Sequence, residues 1–390
     1  MKQTLQATLR PAGPPIQQQA VRELFLNRDF KLLWFGQLLS QIGDQCLLIA
    51  AITLISNLSQ SPLAMLVPAL SLAIPQIVFG LVGGAVADPA RNAVIPNIVP
   101  AGLLLAANSL IQGSFIIALI LGPAIAGAAV ELWMPSAIIF DSVTFFVSAL
   151  VISAMNIPET VPGQFDTVQG NNVWEDMQAG LNFIRHNRAL RRMLDITAIA
   201  TLGIGAIVLL AIPHLKTQLG AGGLEYGIAM SMLGLGSVLG GLTVSQLSRR
   251  LSTSTTVGGM LILAGAAIVA FAFAPNYAIV LVSLATIGLC VVMARGALDT
   301  ISQALSPDAV RGRVQSAVNL VVVATTAVAE GLSALLGALI GVQTVFAAAG
   351  IVTALTGVAA VFVLRSAGRL VSRGTAVGWE AGEEKEGIGK

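Results

Sequence analysis

Six stretches of this chain carry no Asp, Glu, Lys or Arg: residues 45–87, 92–130, 196–215, 226–248, 251–294 and 331–364. A helix that crosses the hydrocarbon of a bilayer needs about 20 mostly apolar residues. The longest run, 251–294, is 44 residues, room for two such helices and a turn. Only 10% of the 390 residues are charged, where a soluble domain carries about 25%. The apolar residues are continuous rather than alternating, which argues against a β-barrel. The chain therefore reads as an all-α membrane protein.

The pattern predicts ten spans: 32–56, 63–87, 104–130, 136–156, 193–213, 225–247, 256–274, 277–297, 314–340 and 344–364. Short turns at 57–62, 131–135, 274–276 and 341–343 make antiparallel hairpins. An even number of spans puts both termini on one side. Of the 21 Lys and Arg residues, only Lys216 falls on the other. Basic residues collect on the cytoplasmic face, so both termini are expected there, in the plasma (inner) membrane.

The expected organisation is a cytoplasmic tail over 1–31, a first bundle over 32–156, a linker over 157–192, a second bundle over 193–365 and a tail over 366–390. Within the linker, Trp174, Met177, Leu181 and Ile184 recur at helical spacing. This predicts an amphipathic helix over 174–192 on the cytoplasmic membrane surface. The last tail, rich in Gly and Glu, has the composition of a disordered segment. Residues 1–20 are polar and proline-containing, without the apolar core of a signal peptide. No basic, aromatic-interleaved patch suggests nucleic acid. Cys46 and Cys290 lie in separate spans, and His186 and His214 have no ligand partners at usable spacing, so no metal site, cofactor or disulfide is expected. No nucleophile–base pairing suggests an enzyme, and no Walker-type loop suggests ATP-driven transport.

The two halves repeat. Pro100 aligns with Pro307, and eight residues on Asn108-Ser109 aligns with Gln315-Ser316. Gly84 to Asp88 aligns with Gly241 to Ser245, each after a small-xxx-small pair, Gly80/Gly84 and Gly236/Gly240. The spacings disagree: Ser245 to Pro307 is 62 residues and Asp88 to Pro100 is 12. The first half is short by 50 residues, the length of one helical hairpin. Losing a hairpin leaves the parity of every later span unchanged.

Several motifs stand in a recognisable order. They are Asn27-Arg28-Asp29-Phe30, Trp34-Phe35-Gly36-Gln37 and Ser40-Gln41-Ile42-Gly43-Asp44 at the first span, and Pro89-Ala90-Arg91-Asn92-Ala93-Val94-Ile95-Pro96-Asn97-Ile98-Val99-Pro100 with Ala106-Ala107-Asn108-Ser109 before and into the third. Leu121-Gly122-Pro123, Gly127, Phe140-Asp141, Ser306-Pro307-Asp308 and Arg311-Gly312-Arg313-Val314 follow. Together they resemble a major facilitator superfamily transporter, and most of all its enterobactin-exporter-like and macrolide-efflux-like branch. The resemblance covers nearly all of 25–373. It implies a two-bundle architecture and alternating access. It also implies twelve helices and a Gly-x-x-x-Asp-Arg-x-x-Arg-Arg loop after the second. Here Asp88 is followed by Pro89, Ala90 and Arg91. The third and fourth family helices are therefore expected to be absent, leaving about ten, four in the first bundle and six in the second.

The resemblance implies a secondary transporter, with proton-coupled efflux of a small amphipathic, drug- or siderophore-like compound as the expected activity. The alternative is a transport-inactive remnant, or a membrane interaction protein, whose exposed first bundle a homodimer would cover. Asp44, inside the first span, is a candidate for proton coupling or substrate contact, since a carboxyl in a membrane span is costly. It could instead fix helix packing through Gln41 or Gln45. Glu330 lies 23 residues after Pro307, as Pro123 lies 23 after Pro100, and is a second candidate. Asn108, Gln112 and Asn319 are candidate cavity residues. Asp88, Gly122, Pro123, Gly127, Arg249 and Arg250 are candidates for gating or helix interfaces, the Gly-Pro kink for its lost backbone bond and the glycines for close approach. Asp141, Asp195 and Asp299 read as caps or interface charges near span ends.

Overall fold

The computed structural model describes residues 16–59, 61–71, 95, 98–155, 173–248 and 251–365. Asp88, the 88/89 junction, Arg249, Arg250 and the last tail lie outside the described residues. A short helix, α1 (Ile16–Leu26), leads across Asn27 into α2 (Arg28–Leu58). The Asn27 side chain accepts from the backbone N–H groups of Asp29 and Phe30, at 2.9 and 3.1 Å, satisfying amides that the first helical turn leaves open. Its own amide nitrogen donates to the Ile98 carbonyl, 2.6 Å away, and the Trp34 indole donates to the Leu110 carbonyl at 2.8 Å. The first motif thus starts one helix and ties it to the segment that opens another.

The chain continues through α3 (Pro62–Ser71), which begins as a 3-10 turn, α4 (Leu104–Leu132) and α5 (Met134–Ser153). After the amphipathic α6 (Val173–His186) come α7 (Arg188–Ile204), α8 (Ala206–Leu219), α9 (Gly223–Ser248), α10 (Thr253–Ala272), α11 (Tyr277–Leu305), α12 (Asp308–Ile340) and α13 (Val342–Val363). Among the described residues, nine helices are long and apolar enough to cross a membrane, counting α7 and α8 as one. Nine of the ten expected spans are met in this way, the tenth, 63–87, lying outside the described residues beyond Ser71, and two elements differ in their ends. The amphipathic helix ends at His186, not at residue 192, because the Asn187 side chain caps a new helix by accepting from Ala189 and Leu190 N–H. The expected span 193–213 is a longer pair, broken at Gly205, where a Cβ would lie 2.6 Å from the Ala329 Cβ.

Asn187-Arg188 repeats Asn27-Arg28, cap included. Sixteen residues past each asparagine stands a glycine, Gly43 and Gly203. Gly43 packs against Thr144 of α5, and Gly203 against Thr353 of α13. Each half therefore docks its first helix on its last by a glycine on a threonine, a close approach that any side chain would block.

The halves differ in what covers their last helix. In the second half, α13 lies on α10 through Gly258, Gly265, Gly350 and Gly357, backbone against backbone. Among the described residues, α5 packs chiefly on α2 and α4. Its side chains at Val143, Phe146 and Leu150 are exposed.

Candidate functional site

Three apolar clusters place the division between the halves. Each helix has one end beside the arginines and a far end. The largest cluster lies toward the far end and joins Ile49, Ile52, Met65, Ala126 and Val130 of the first half to Ile207, Leu210, Leu215, Tyr226 and Phe271 of the second. Two smaller ones lie toward the arginine end. One draws Leu24, Phe30, Ile95, Ala107 and Ile111 from the first half alone. The other draws Leu190, Met193, Leu261, Ala297 and Val318 from the second half alone, with Ile184 of α6. The halves share a core at the far end and keep separate cores at the arginine end.

The far-end seam is glycine-lined. Gly127 of α4 meets Gly223 and Gly227 of α9, the Pro123 carbonyl meets Gly227, and Gly234 meets the Leu119 carbonyl. Of the three expected interface residues on α4, Pro123 and Gly127 face α9, while Gly122 faces Gln45 of α2. A second seam sets α3 on α12, with Pro62 at Gly337 and Leu66 at Gly331. Two polar ties cross the same end. The Gly223 N–H donates to a Glu131 carboxylate oxygen at 2.8 Å, so a first-half side chain caps a second-half helix. Lys216 donates to Asn57 Oδ1 at 2.7 Å and to the Ser56 carbonyl at 3.4 Å. Thr53, Asn57, Glu131, Lys216 and Tyr226 line a cavity of about 230 Å³ between them.

On α2, Gln37, Gln41 and Asp44 recur at i, i+4 and i+7, one polar face of an apolar helix. Asp44 is exposed, with no hydrogen bond or ion pair among the described residues, and Gln41 Oε1 is buried without a partner. Asp141 of α5 is brought to the same level. It is only 6% exposed, its Oδ1 has no partner, and it stands against Gly43 beside Asp44. Asp141, expected as a charge near a span end, sits mid-helix in α5 and packs inward.

Asn108 and Gln112 are exposed on one face of α4. Glu330 is half-buried on α12, between Ala329, which touches Gly205, and Gly331, which touches Leu66. Asn319 accepts from Arg295 at 2.9 Å, and Arg295 pairs with Asp299 at 3.7 Å. An arginine so far inside a span, bonded across to a neighbouring helix, is a functional candidate in its own right. His214 has no metal-ligand neighbours among the described residues. It packs between the rings of Phe271 and Phe346, 5.4 and 5.1 Å away.

Residues 65–373 match the family model of the transmembrane secretion effectors. The multidrug efflux pump Tap of Mycolicibacterium fortuitum is 26% identical over 312 residues, 77% of this chain and 74% of that protein. Among solved structures, a peptide transporter in complex with sulfate superposes with a TM-score of 0.69 at 12% identity, covering 91% of this chain and 99% of that one. A bacterial homologue of the human lysosomal transporter Spinster, inward-facing and occupied, gives 0.59 at 13% identity, over 89% and 96%. These identities speak for the fold alone. The family match spans most of the chain, and with two repeated halves joined at one end it assigns the protein: the chain belongs to the transmembrane secretion effector family of major facilitator transporters, and it is a membrane transporter rather than an enzyme.

Proposed function

We propose that this chain exports a small amphipathic compound by alternating access, driven by protons moving inward. The observation that carries the reading is the one-ended core. Two halves whose shared buried core, among the described residues, lies toward the far end can rock about a site at mid-depth. Their cross-half ties are few, a carboxylate on a helix N-terminus and an ammonium on an amide. With the arginine end in the cytoplasm of a plasma-membrane protein, the described state is inward-facing. The polar face of Gln37, Gln41 and Asp44 is one wall of the transport path, and Glu330, Asn108, Gln112 and Asn319 are its further candidates. The resemblance to an efflux pump supports outward movement of a drug-like compound.

The test is gradient-driven movement of ethidium, an amphipathic fluorescent cation, in proteoliposomes. An imposed pH gradient should drive ethidium in wild type, and Asp44→Asn should lose the driven component. An unchanged rate in that variant would remove Asp44 from the mechanism.

A second reading has its own support. The face of α5 left exposed among the described residues, where the other half has α10, fits a first bundle that lacks the third and fourth family helices. On that reading the chain is a carrier remnant of the enterobactin- or macrolide-exporter branch, and a second copy covers the face. A gene sequence encoding about fifty more residues between Asp88 and Pro89 would end it.

A further inference from the structure

We propose that Asp141 is the proton-holding partner of Asp44, the two carboxyl groups forming one site that carries a single proton. This deepens the proton-coupled reading above and rests on it. The site is built by Gly43. With only hydrogen there, α5 comes so close that a Cβ at position 43 would lie 2.8 Å from Asp141 Oδ1 and would overlap the Thr144 hydroxyl. Asp141 is thereby held against α2 at Gly43, the residue that precedes Asp44.

Nothing among the described residues neutralises Asp141 there. Its Oδ1 is buried and without a partner. The nearby Thr144 hydroxyl donates to the Asp141 backbone carbonyl at 2.7 Å, and so is not available to the carboxylate. On α2 the other titratable groups are Arg28, Asp29 and Lys31 at the arginine end, and Cys46 beside the pair. On α4 the one titratable group is Glu131, at the far end and bonded to Gly223. A second carboxylate, not a cation, is therefore the nearest charge. A carboxyl buried without a hydrogen bond or a cation disfavours its charged form. Asp141, the covered member, is therefore where the O–H rests. Asp44, the exposed member, is the point at which the proton enters from water or leaves to it. In each cycle one proton is taken up on a carboxylate oxygen and released from it, with no other bond changed.

Two measurements on the full chain in lipid test this. The first is infrared difference spectroscopy of the protonated-carboxyl C=O stretch at neutral pH, which needs no substrate. Asp44→Asn should keep the wild-type band, and Asp141→Asn should lose the component that Asp141 contributes, leaving at most that of Glu330. A band unchanged in Asp141→Asn, or one that sodium ions abolish in wild type, overturns the proposal. Asparagine is isosteric and Asp141 Oδ1 has no bond to lose, so folding should be untouched. The second is ethidium movement in proteoliposomes. Asp141→Asn should fall to the passive leak under an imposed pH gradient while still exchanging ethidium without one. Full gradient-driven movement in that variant overturns the proposal. A wild type that shows the infrared band but no gradient-driven movement sinks the transport reading and leaves the proton site standing.

Discussion

Asn27 shows how much of this protein is decided by single polar side chains at helix ends. It caps α2 with its oxygen and holds Ile98 with its nitrogen. Asn27→Ala should destabilise the chain by about 1 kcal/mol through the cap alone. The loss of the Ile98 bond adds to it, and thermal unfolding in detergent would read the total. Glu131 and Lys216 act at the other end. Glu131→Gln weakens the hold on the Gly223 N–H, and Lys216→Ala frees Asn57. Both should raise maleimide labelling of a cysteine placed at Thr53 in the far-end cavity, in a background without Cys46 and Cys290. Unchanged labelling in both would show that these bonds do not hold that end shut. Asp44 could be singled out from sequence because a carboxylate in an apolar run is conspicuous. Asp141 is no less conspicuous, yet its role depends on a close approach at Gly43, which no one-dimensional spacing reveals.

Helices were the most legible part of the chain, since burial in lipid demands long apolar runs and the runs are uninterrupted. Their ends were less so. Asn187 splits what helical periodicity alone continues, so Leu190 belongs to α7 and not to α6. Gly205 breaks another that looks continuous in hydropathy. The pairing of Asn27 with Asn187 was present in the sequence as a repeated Asn-Arg, but two residues carry little weight until both are seen capping. At the α4–α9 seam, glycines let two backbones touch. Gly127→Val would drive a branched side chain into Gly223, at a cost of about 1–3 kcal/mol for overpacking. The expected result is a far end that cannot close, with higher Thr53→Cys labelling and loss of ethidium exchange.

At the scale of the molecule, the two halves are copies with unequal surroundings. The repeat was legible because prolines and glycines recur in register, and its 50-residue shortfall was measurable from spacing. Which faces a hairpin would have covered was not legible, because that depends on how α5 lies against α2. If a second copy covers α5, a cysteine at Phe146 should form an intermolecular disulfide in native membranes, and one at Phe362 of α13, equally exposed, should not. Equal crosslinking at both positions would mark random collision.

The interlocked backbones of α10 and α13 carry a mechanical consequence. Helices joined by glycine contacts along their length share load, whereas α5 leans chiefly on α2 and α4 among the described residues. Pulled out of a bilayer from its C-terminus by a force probe, the chain should resist first with steep, cooperative ruptures as α13 and α10 part. The first half should follow at lower force. In the working protein the second half would then serve as the stiff lever, and most of the strain of each cycle would be absorbed by the first.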